Sequence, residues 1–568
     1  MRKFFSVVFA FVLLVAVCLP TAVFSQEQAQ DQDASDANLL SNHTYLPLVQ
    51  TDNMATANAE NVAAAQETER QISKPQISTL TQASTLGPLS ALKNLQAEQS
   101  TGAPRIKPLF QLPESTIAAP DTPDPVVQTT AGPLVGTTNL LNFAGVGLGD
   151  YGFIPNAAPP DTNLAVGDTQ VVQWVNSSFA IFNKATGAKI LGPLAGNALW
   201  SGLGNGCATN NDGDPVVRFD RIAHRWIFTQ FSVSTTPFLQ CFAISTSADA
   251  TGSYFRYYAT YANFNDYPKL GVWPDGYYIT YNMFNPSGTS FLGARVCALE
   301  RSKMLVGALA TQVCFQLSTS YDSLLPSDLN GALAPPAGAP NFLLNFGTNA
   351  LRLWKFHVVF GGAGSTLTGP TTLPVAAFTR ACSGGACIPQ PGTTTKLDSL
   401  ADRLMFRLAY RRFADGHEAL VVNHAVKPSN GTSAIRWYEV RNPNGTPVVF
   451  QQGTFAPDTS SRWMGSIAMD KQGNIAVGYS VSSSTLKPSI RYTGRLAGDA
   501  LGTLQAENII IAGGGSQTGG LTRWGDYSTM DVDPSNDCTF WYTNEYLKAN
   551  GSFNWSTRIA AFKFPSCQ

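Results

Sequence analysis

The sequence predicts an all-β fold. Its first choice is a β-propeller of seven four-stranded blades, with six or eight blades as alternatives and a two-sheet sandwich as the competing architecture. Three observations lead there. From about residue 136 onward, short apolar alternations are separated by Gly, Pro, Asn and Asp turns, with almost no helical periodicity. One hairpin theme recurs: a strand, a short Asp/Gly turn, and a strand ending in a small or polar residue. It recurs at intervals of roughly 50 to 75 residues, and a four-stranded blade needs about 40 to 50 residues plus loops. A sandwich gives no reason for such regular spacing.

The copies follow in order. NLAVGDTQVVQWVNS (163–177), VVRFDRIAHRWIFTQFS (216–232) and LGVWPDGYYITYNM (270–283) are the clearest. PNFLLNFGTNALRLWKFHVVF (340–360) is a weaker fourth. LMFRLAYRRFADGHEALVVNHAV (404–426), SIAMDKQGNIAVGYS (466–480) and YSTMDVDPSNDCTFWYTNEY (527–546) complete the series. In each, the hairpin is expected to form the inner pair of strands of a blade. Later segments, such as CFAISTSA after the second copy, supply the outer strands. After the seventh hairpin only STRIAAFKF (556–564) remains, so the last blade lacks a strand. VGTTNLLNFAG (135–145) is expected to fill that gap and remove the free edges of an open sheet.

Upstream, the chain has a different texture. Residues 1–25 combine a basic start (Arg2, Lys3), an apolar stretch and small residues before Gln26, which reads as a secretory signal peptide. Cys18 raises a lipoprotein alternative, but bulky Val17 before it fits lipid attachment poorly. Residues 26–135 are rich in Gln, Ala, Thr, Ser and Pro and poor in aromatics. They read as a disordered leader or spacer, or else as a cleaved pro-segment. The propeller domain is assigned to 136–568. No later apolar run is long enough to span a bilayer.

Charge and cysteine usage fit an extracellular address. Lys and Arg number 37 against 38 Asp and Glu, so no basic excess exists to neutralise nucleic-acid phosphates. Nine Cys less Cys18 leave eight, an even number more often disulfides than metal ligands in a secreted chain. Sequence order suggests local pairs: Cys207–Cys241, Cys297–Cys314, Cys382–Cys387 and Cys538–Cys567. The last would staple the closing blade.

In a propeller, loops from all blades converge at the rim just before the innermost strands. The chain places charged residues there in almost every copy. Asp161, Asp214 and Asp266 precede the first three hairpins, with Lys269 close by. Asp402 and Arg403 precede the fifth, Arg462 and Trp463 the sixth, and Arg523, Trp524 and Asp526 the seventh. Two readings compete. The side chains either cap backbone N–H groups and pair across blades, as buried charges must, or they bind a polar ligand with Trp463 and Trp524 as stacking platforms. Recurrence in nearly every blade favours the first.

Other motifs carry less. Asn210, Asp212 and Asp214 alternate like the opening of a calcium loop, but the downstream bidentate Glu is missing, and turn chemistry also explains them. Asp533 and Asp537 in DPSND are a weaker version. No cofactor beyond a possible calcium is expected. None of the five His lies in a nucleophile or metalloprotease motif, and His224 reads as a surface turn residue. Ser247, Asp249 and Gly252 in STSADATGSYFRY approximate an Asp-box, a structural hairpin turn.

Taken together, PPDTNLAVG, GDPVVRFDRIAHRWIFTQFS, DYPKLGVWPDGYYITYN and RWGDYSTMDVDPSNDCTFWYTNEYL resemble a widespread, largely uncharacterised family of secreted bacterial proteins. The resemblance spans about residue 150 to the C-terminus. It implies a fold similar to the sialidase-like or BNR-type β-propellers. Sialidases use an arginine triad, a Tyr/Glu nucleophile pair and an Asp acid/base. Their Phe/Tyr-Arg-Ile-Pro motif is absent here, so no catalytic residue is carried over. The leading functional expectation is an extracellular module, monomeric, that binds a glycan or protein. A sialidase-like glycoside hydrolase is the alternative, and a structural envelope protein the third.

Overall fold

The alternating segments become seven four-stranded antiparallel sheets, numbered I to VII here in the order of their first strands. The computed structural model describes residues 71–92, 104–110, 112 and 123–568. The expected signal peptide at 1–25 lies outside them. All described residues belong to one unit, Val62–Gln568.

Sheet I runs Asn163–Val166, Gln170–Val175, Ser178–Asn183 and Lys189–Ala195. Sheet II runs Val216–Asp220, Arg225–Ser232, Phe238–Ser245 and Tyr254–Tyr261. Sheet III begins with Phe264–Val272 and Tyr277–Phe284 and continues with Phe291–Leu299 and Thr311–Gln316. Sheet IV runs Leu325–Leu329, Asn341–Gly347, Ala350–His357 and Thr366–Pro374. Sheet V runs Met405–Arg412, Glu418–Val426, Ala434–Arg441 and Val448–Phe455. Its first strand also pairs in parallel with that of sheet IV, Ser327 opposite Leu408. Sheet VI runs Ser461–Met469, Ile475–Ser482, Ser489–Arg495 and Asn508–Ile511. Sheet VII runs Thr529–Val532, Phe540–Leu547 and Trp555–Lys563. Its fourth strand is Thr138–Ala144, antiparallel to Trp555–Lys563 with Ile559 opposite Phe143. The pairing expected between the two ends of the domain is therefore present.

Neighbouring first strands pack on each other from sheet I through sheet VII, and that of VII packs back on that of I. The apolar core follows the same order. Leu164, Val171 and Phe182 of sheet I meet Trp541, Trp555 and Ile559 of sheet VII. First strands are buried on both faces, as in Ser461–Met469, where every residue is buried. Such a strand cannot be half-polar by simple alternation, so its polar side chains need internal partners.

Those partners form a buried square of two arginines and two aspartates. Arg218 pairs with Asp328 at 2.8 Å and with Asp531 at 3.0 Å. Arg407 pairs with the same two carboxylates at 2.7 and 3.2 Å. Arg407 also donates to the Met530 carbonyl and to Asn330 Oδ1. The Val272 N–H donates to Asp328 and the Val166 N–H to Asp531. The first strands of sheets I, II, III, IV, V and VII are thus tied through four side chains. Burial opposes the charge on Asp531, yet Arg218 and Arg407 hold its carboxyl below the usual range.

Two expectations are corrected. The fourth hairpin was placed at 340–360, but those residues are the second and third strands of sheet IV. The first strand is Leu325–Leu329, LPSDL, whose Pro, Ser and Asp hide it from an apolar alternation; Asp328 is a corner of the buried square. Parts of the expected disordered leader are also paired. Gln76–Thr79 extends sheet III, Thr81–Leu86 extends sheet II, and Val127–Gln128 extends sheet V. These short polar runs borrow their burial from the sheets and have no core of their own.

The disulfides are Cys207–Cys241, Cys297–Cys314, Cys382–Cys387 and Cys538–Cys567. Cys297 and Cys314 face each other across adjacent strands, and Cys538–Cys567 ties the hairpin of sheet VII to the chain end. No helix among the described residues is long and apolar enough to cross a membrane.

Candidate functional site

Just before most first strands, the backbone visits the left-handed region at a residue other than glycine. Asp161, Asp214, Tyr267, Ser323, Met464 and Asp526 all have φ between 44° and 57°. Aspartate tolerates this conformation better than most residues. The recurrence of Asp161, Asp214 and Asp526 is thus explained in part by the turn itself. In sheets III and IV the turn falls one residue later, on Tyr267 and Ser323, and Asp266 and Asp322 precede it.

These turns converge on a cavity of about 260 Å³. Asp214, Asp266, Arg403, Arg523 and Asp526 line it, with Tyr267 among them. They come from the approaches to sheets II, III, V and VII. Phe231 and Phe264 give the cavity an apolar wall. Arg403 is held in a fork by Asp402, at 2.8 and 2.9 Å, and lies over the Tyr267 ring at 4.4 Å. Arg523 pairs with Asp526 and donates to the Lys107 carbonyl at 2.7 Å. The Lys269 ammonium sits over Tyr267 at 3.5 Å and over Tyr527 at 4.1 Å, and donates to the Pro268 carbonyl. The Tyr267 hydroxyl is buried and has no hydrogen-bond partner.

Burial sets the protonation of this cluster. It raises Asp266 to about 7, with the nearby Asp214 charge adding to the effect. It also raises Asp161 and Asp526 above the usual carboxylate range, and raises both Asp322 and Asp398 to about 6. Lys269 is lowered to about 8 by burial, against the pull of Asp214. The hydroxyls of Tyr267 and Tyr527 stay protonated because burial drives their pKa upward.

Asp266 gives a pH signature. Its folded-state pKa, about 7, lies above the ordinary 3.8. Between those values the folded chain holds a proton that the unfolded chain releases. The stability this lends is complete below about pH 4 and is lost as pH rises through about 7. Asn cannot ionise, so Asp266→Asn should gain on the wild type as pH rises. The gap in unfolding free energy should widen by up to about 1.4 kcal/mol per pH unit in that window. Urea melts at pH 4.5 and 7.5 measure it, and a constant gap would contradict the assignment.

Three expected rim residues lie elsewhere. Arg462 is fully buried and pairs with Asp458 at 2.9 Å and Glu507 at 2.7 Å. Trp463 and Trp524 are fully buried in the core, their rings 5.9 Å apart, and the Trp524 indole N–H donates to Ser480. Neither tryptophan is a stacking platform: an apolar ring on a strand buried on both faces goes inward. Asp161, Lys269 and Asp402 stand behind the lining and act on it electrostatically.

The candidate calcium residues have other work. The Asp212 carboxylate accepts from the Val233 and Ser234 N–H groups at 2.7 and 2.8 Å and from the Ser234 hydroxyl. Asp533 pairs with Lys184 and Asp537 with Arg221, both at 2.8 Å. Among the described residues, no group of three or more His, Cys, Asp or Glu is placed to hold a metal. The Asp-box-like turn joins the outer strands of sheet II, where Asp249 accepts from Thr251 and Gln170. His224 sits in a hairpin turn and pairs with Asp168.

Sequence reasoning missed Tyr267, Tyr527, Asp322, Asp398 and Lys107. Asp322 was recoverable, since YDSLLPSD repeats the pattern of an Asp shortly before a first strand. Lys107 carried no signal.

No family model matches the chain, and no curated protein matches it. Several solved structures do. A protein of unknown function from Dyadobacter fermentans is 9% identical with a TM-score of 0.34, covering 78% of this chain and 100% of its own. A Hadza microbial sialidase is 9% identical with a TM-score of 0.33, covering 70% and 74%. The phage phi92 endosialidase is 8% identical with a TM-score of 0.29, covering 81% and 75%.

Proposed function

We propose that this chain is a secreted, disulfide-stapled β-propeller of seven blades whose rim cavity binds a glycan. The contacts running from sheet I through sheet VII and back to sheet I support the closed ring. Four disulfides support the extracellular address. The observation that carries the binding reading is the cavity itself. Four separate sheets deliver carboxylates, guanidinium groups and a free tyrosine hydroxyl to one place, beside aromatic walls. A sugar offers hydroxyls that both donate and accept, and an apolar face for the rings.

The test is a glycan array probed with the full chain and with Tyr267→Phe. That substitution removes one hydroxyl and keeps the ring beneath Lys269 and Arg403. Loss of a neutral hydrogen bond should weaken binding about 3- to 10-fold. No glycan bound, or equal binding by both proteins, would overturn the reading.

Glycoside hydrolysis is a second reading that one observation favours. Asp266, raised to about 7, would be partly protonated at neutral pH, as a general acid must be. On a fluorogenic glycoside panel it requires a rate that falls as pH rises above about 7 and that is lost in Asp266→Asn.

A further inference from the structure

The cavity has an occupant from its own chain. Residues 104–110 form a strap along one wall. Arg105 and Ile106 pair in parallel with Ala157 and Ala158, a ladder of two residues. Phe110 packs against Phe264 and Phe284, with ring centroids 4.7 and 5.2 Å away. Between these anchors Lys107 turns inward. Its ammonium donates to the Asp212 carbonyl, and the Arg523 guanidinium accepts no charge from it but donates to its backbone carbonyl.

The corner that receives this ammonium is built for a compact cation. Asp161 is 1% exposed; one of its oxygens accepts from Asn176 and the other has no partner. Asp214 is half-buried beside it, and both carboxylates act on the Lys107 charge. The guanidinium groups of Arg403 and Arg523 are committed to Asp402 and Asp526. Without Lys107, Asp161 and Asp214 would face the cavity with no dedicated cation, and a buried carboxylate without one is costly. A ligand that takes the place of the strap therefore has to bring a positive charge.

We infer that the Asp161–Asp214 corner is an ammonium subsite, filled in cis by Lys107 and exchanged for the free amino group of an amino sugar. The inference rests on the glycan reading above and narrows it. The strap is suited to exchange because its hold is small. It has two ladder residues and one aromatic anchor, against four full strands in each sheet. N-acetylation removes the ligand's charge and should abolish the exchange.

The experiment uses the full chain, Lys107→Ala and Lys107→Gln, titrated with glucosamine tetramer and with its fully N-acetylated counterpart. Removing the internal competitor should raise affinity for the free-amine tetramer about tenfold or more, the worth of a charge-assisted hydrogen bond. Affinity for the acetylated tetramer should not change. Asp214→Asn should lower binding of the free-amine tetramer only. Equal affinity for both tetramers, or no gain in either Lys107 variant, would overturn the inference. If acetylated sugars still bind in a Tyr267-dependent way, the glycan site stands without the subsite. If neither tetramer and no arrayed glycan binds, both fail.

Discussion

Arg407→Ala should cost roughly 3–5 kcal/mol of folding free energy, as expected for breaking a buried ion pair from one side. Arg407 is completely buried, and its guanidinium reaches Asp328, Asp531, Asn330 and the Met530 carbonyl. Alanine leaves two buried carboxylates sharing Arg218 alone. It also opens a void where the first strands of sheets IV, V and VII meet. Arg407→Lys keeps the charge but cannot span both carboxylates with a fork, so it should recover only part of the loss. Exposed Arg558, which pairs with Asn142 at the outer edge of sheet VII, is the control; its replacement should cost under about 0.5 kcal/mol. Urea denaturation followed by tryptophan fluorescence compares the three. A midpoint for Arg407→Ala within error of the wild type would mean that the square does not hold the first strands together.

The second large effect is on binding. Arg403→Ala should weaken glycan affinity by about 10- to 150-fold, corresponding to a charged hydrogen bond of about 1.5–3 kcal/mol. Arg403 is buried between Asp402 and the Tyr267 ring and lines the cavity. Its loss removes a donor and also the cation that holds the ring in place. The protein should still fold, because Asp402 is partly exposed, at 19%, and can rehydrate. Calorimetric titration together with circular dichroism separates the two. Unchanged affinity in a folded Arg403→Ala protein would remove this residue from the site.

Much of the scaffold was legible because its signals are local. Alternation and turn residues mark hairpins wherever both strands are apolar. The single leftover strand STRIAAFKF asked for a partner, and Thr138–Ala144 is that partner. Neighbouring cysteines pair locally because the strands that carry them are adjacent. What escaped is non-local. LPSDL does not look like a strand because its Asp328 is satisfied by arginines from sheets II and V. Arg218 and Arg407 look like ordinary strand residues until the sheets meet.

The site was legible only as a recurrence. Asp214, Asp266, Arg403, Arg523 and Asp526 share a cavity, as their common position before the first strands suggested. The same position sends Arg462, Trp463 and Trp524 into the interior. Register within a strand decides which way a side chain points, and one residue of shift reverses it. In sheets III and IV the left-handed turn falls one residue later, which presents Tyr267 and its free hydroxyl in place of an aspartate at the turn. The strap could not be foreseen, since Lys107 lies in a polar segment whose order depends on the surface it covers.

The most direct measurement is a crystal structure of the full chain soaked with glucosamine tetramer. The account predicts a sugar residue between Tyr267, Arg403 and Arg523, its amino group beside Asp161 and Asp214, and Lys107 displaced from that corner. A tetramer bound on another face, with Lys107 still lodged against Asp212 and the cavity unchanged, would contradict it.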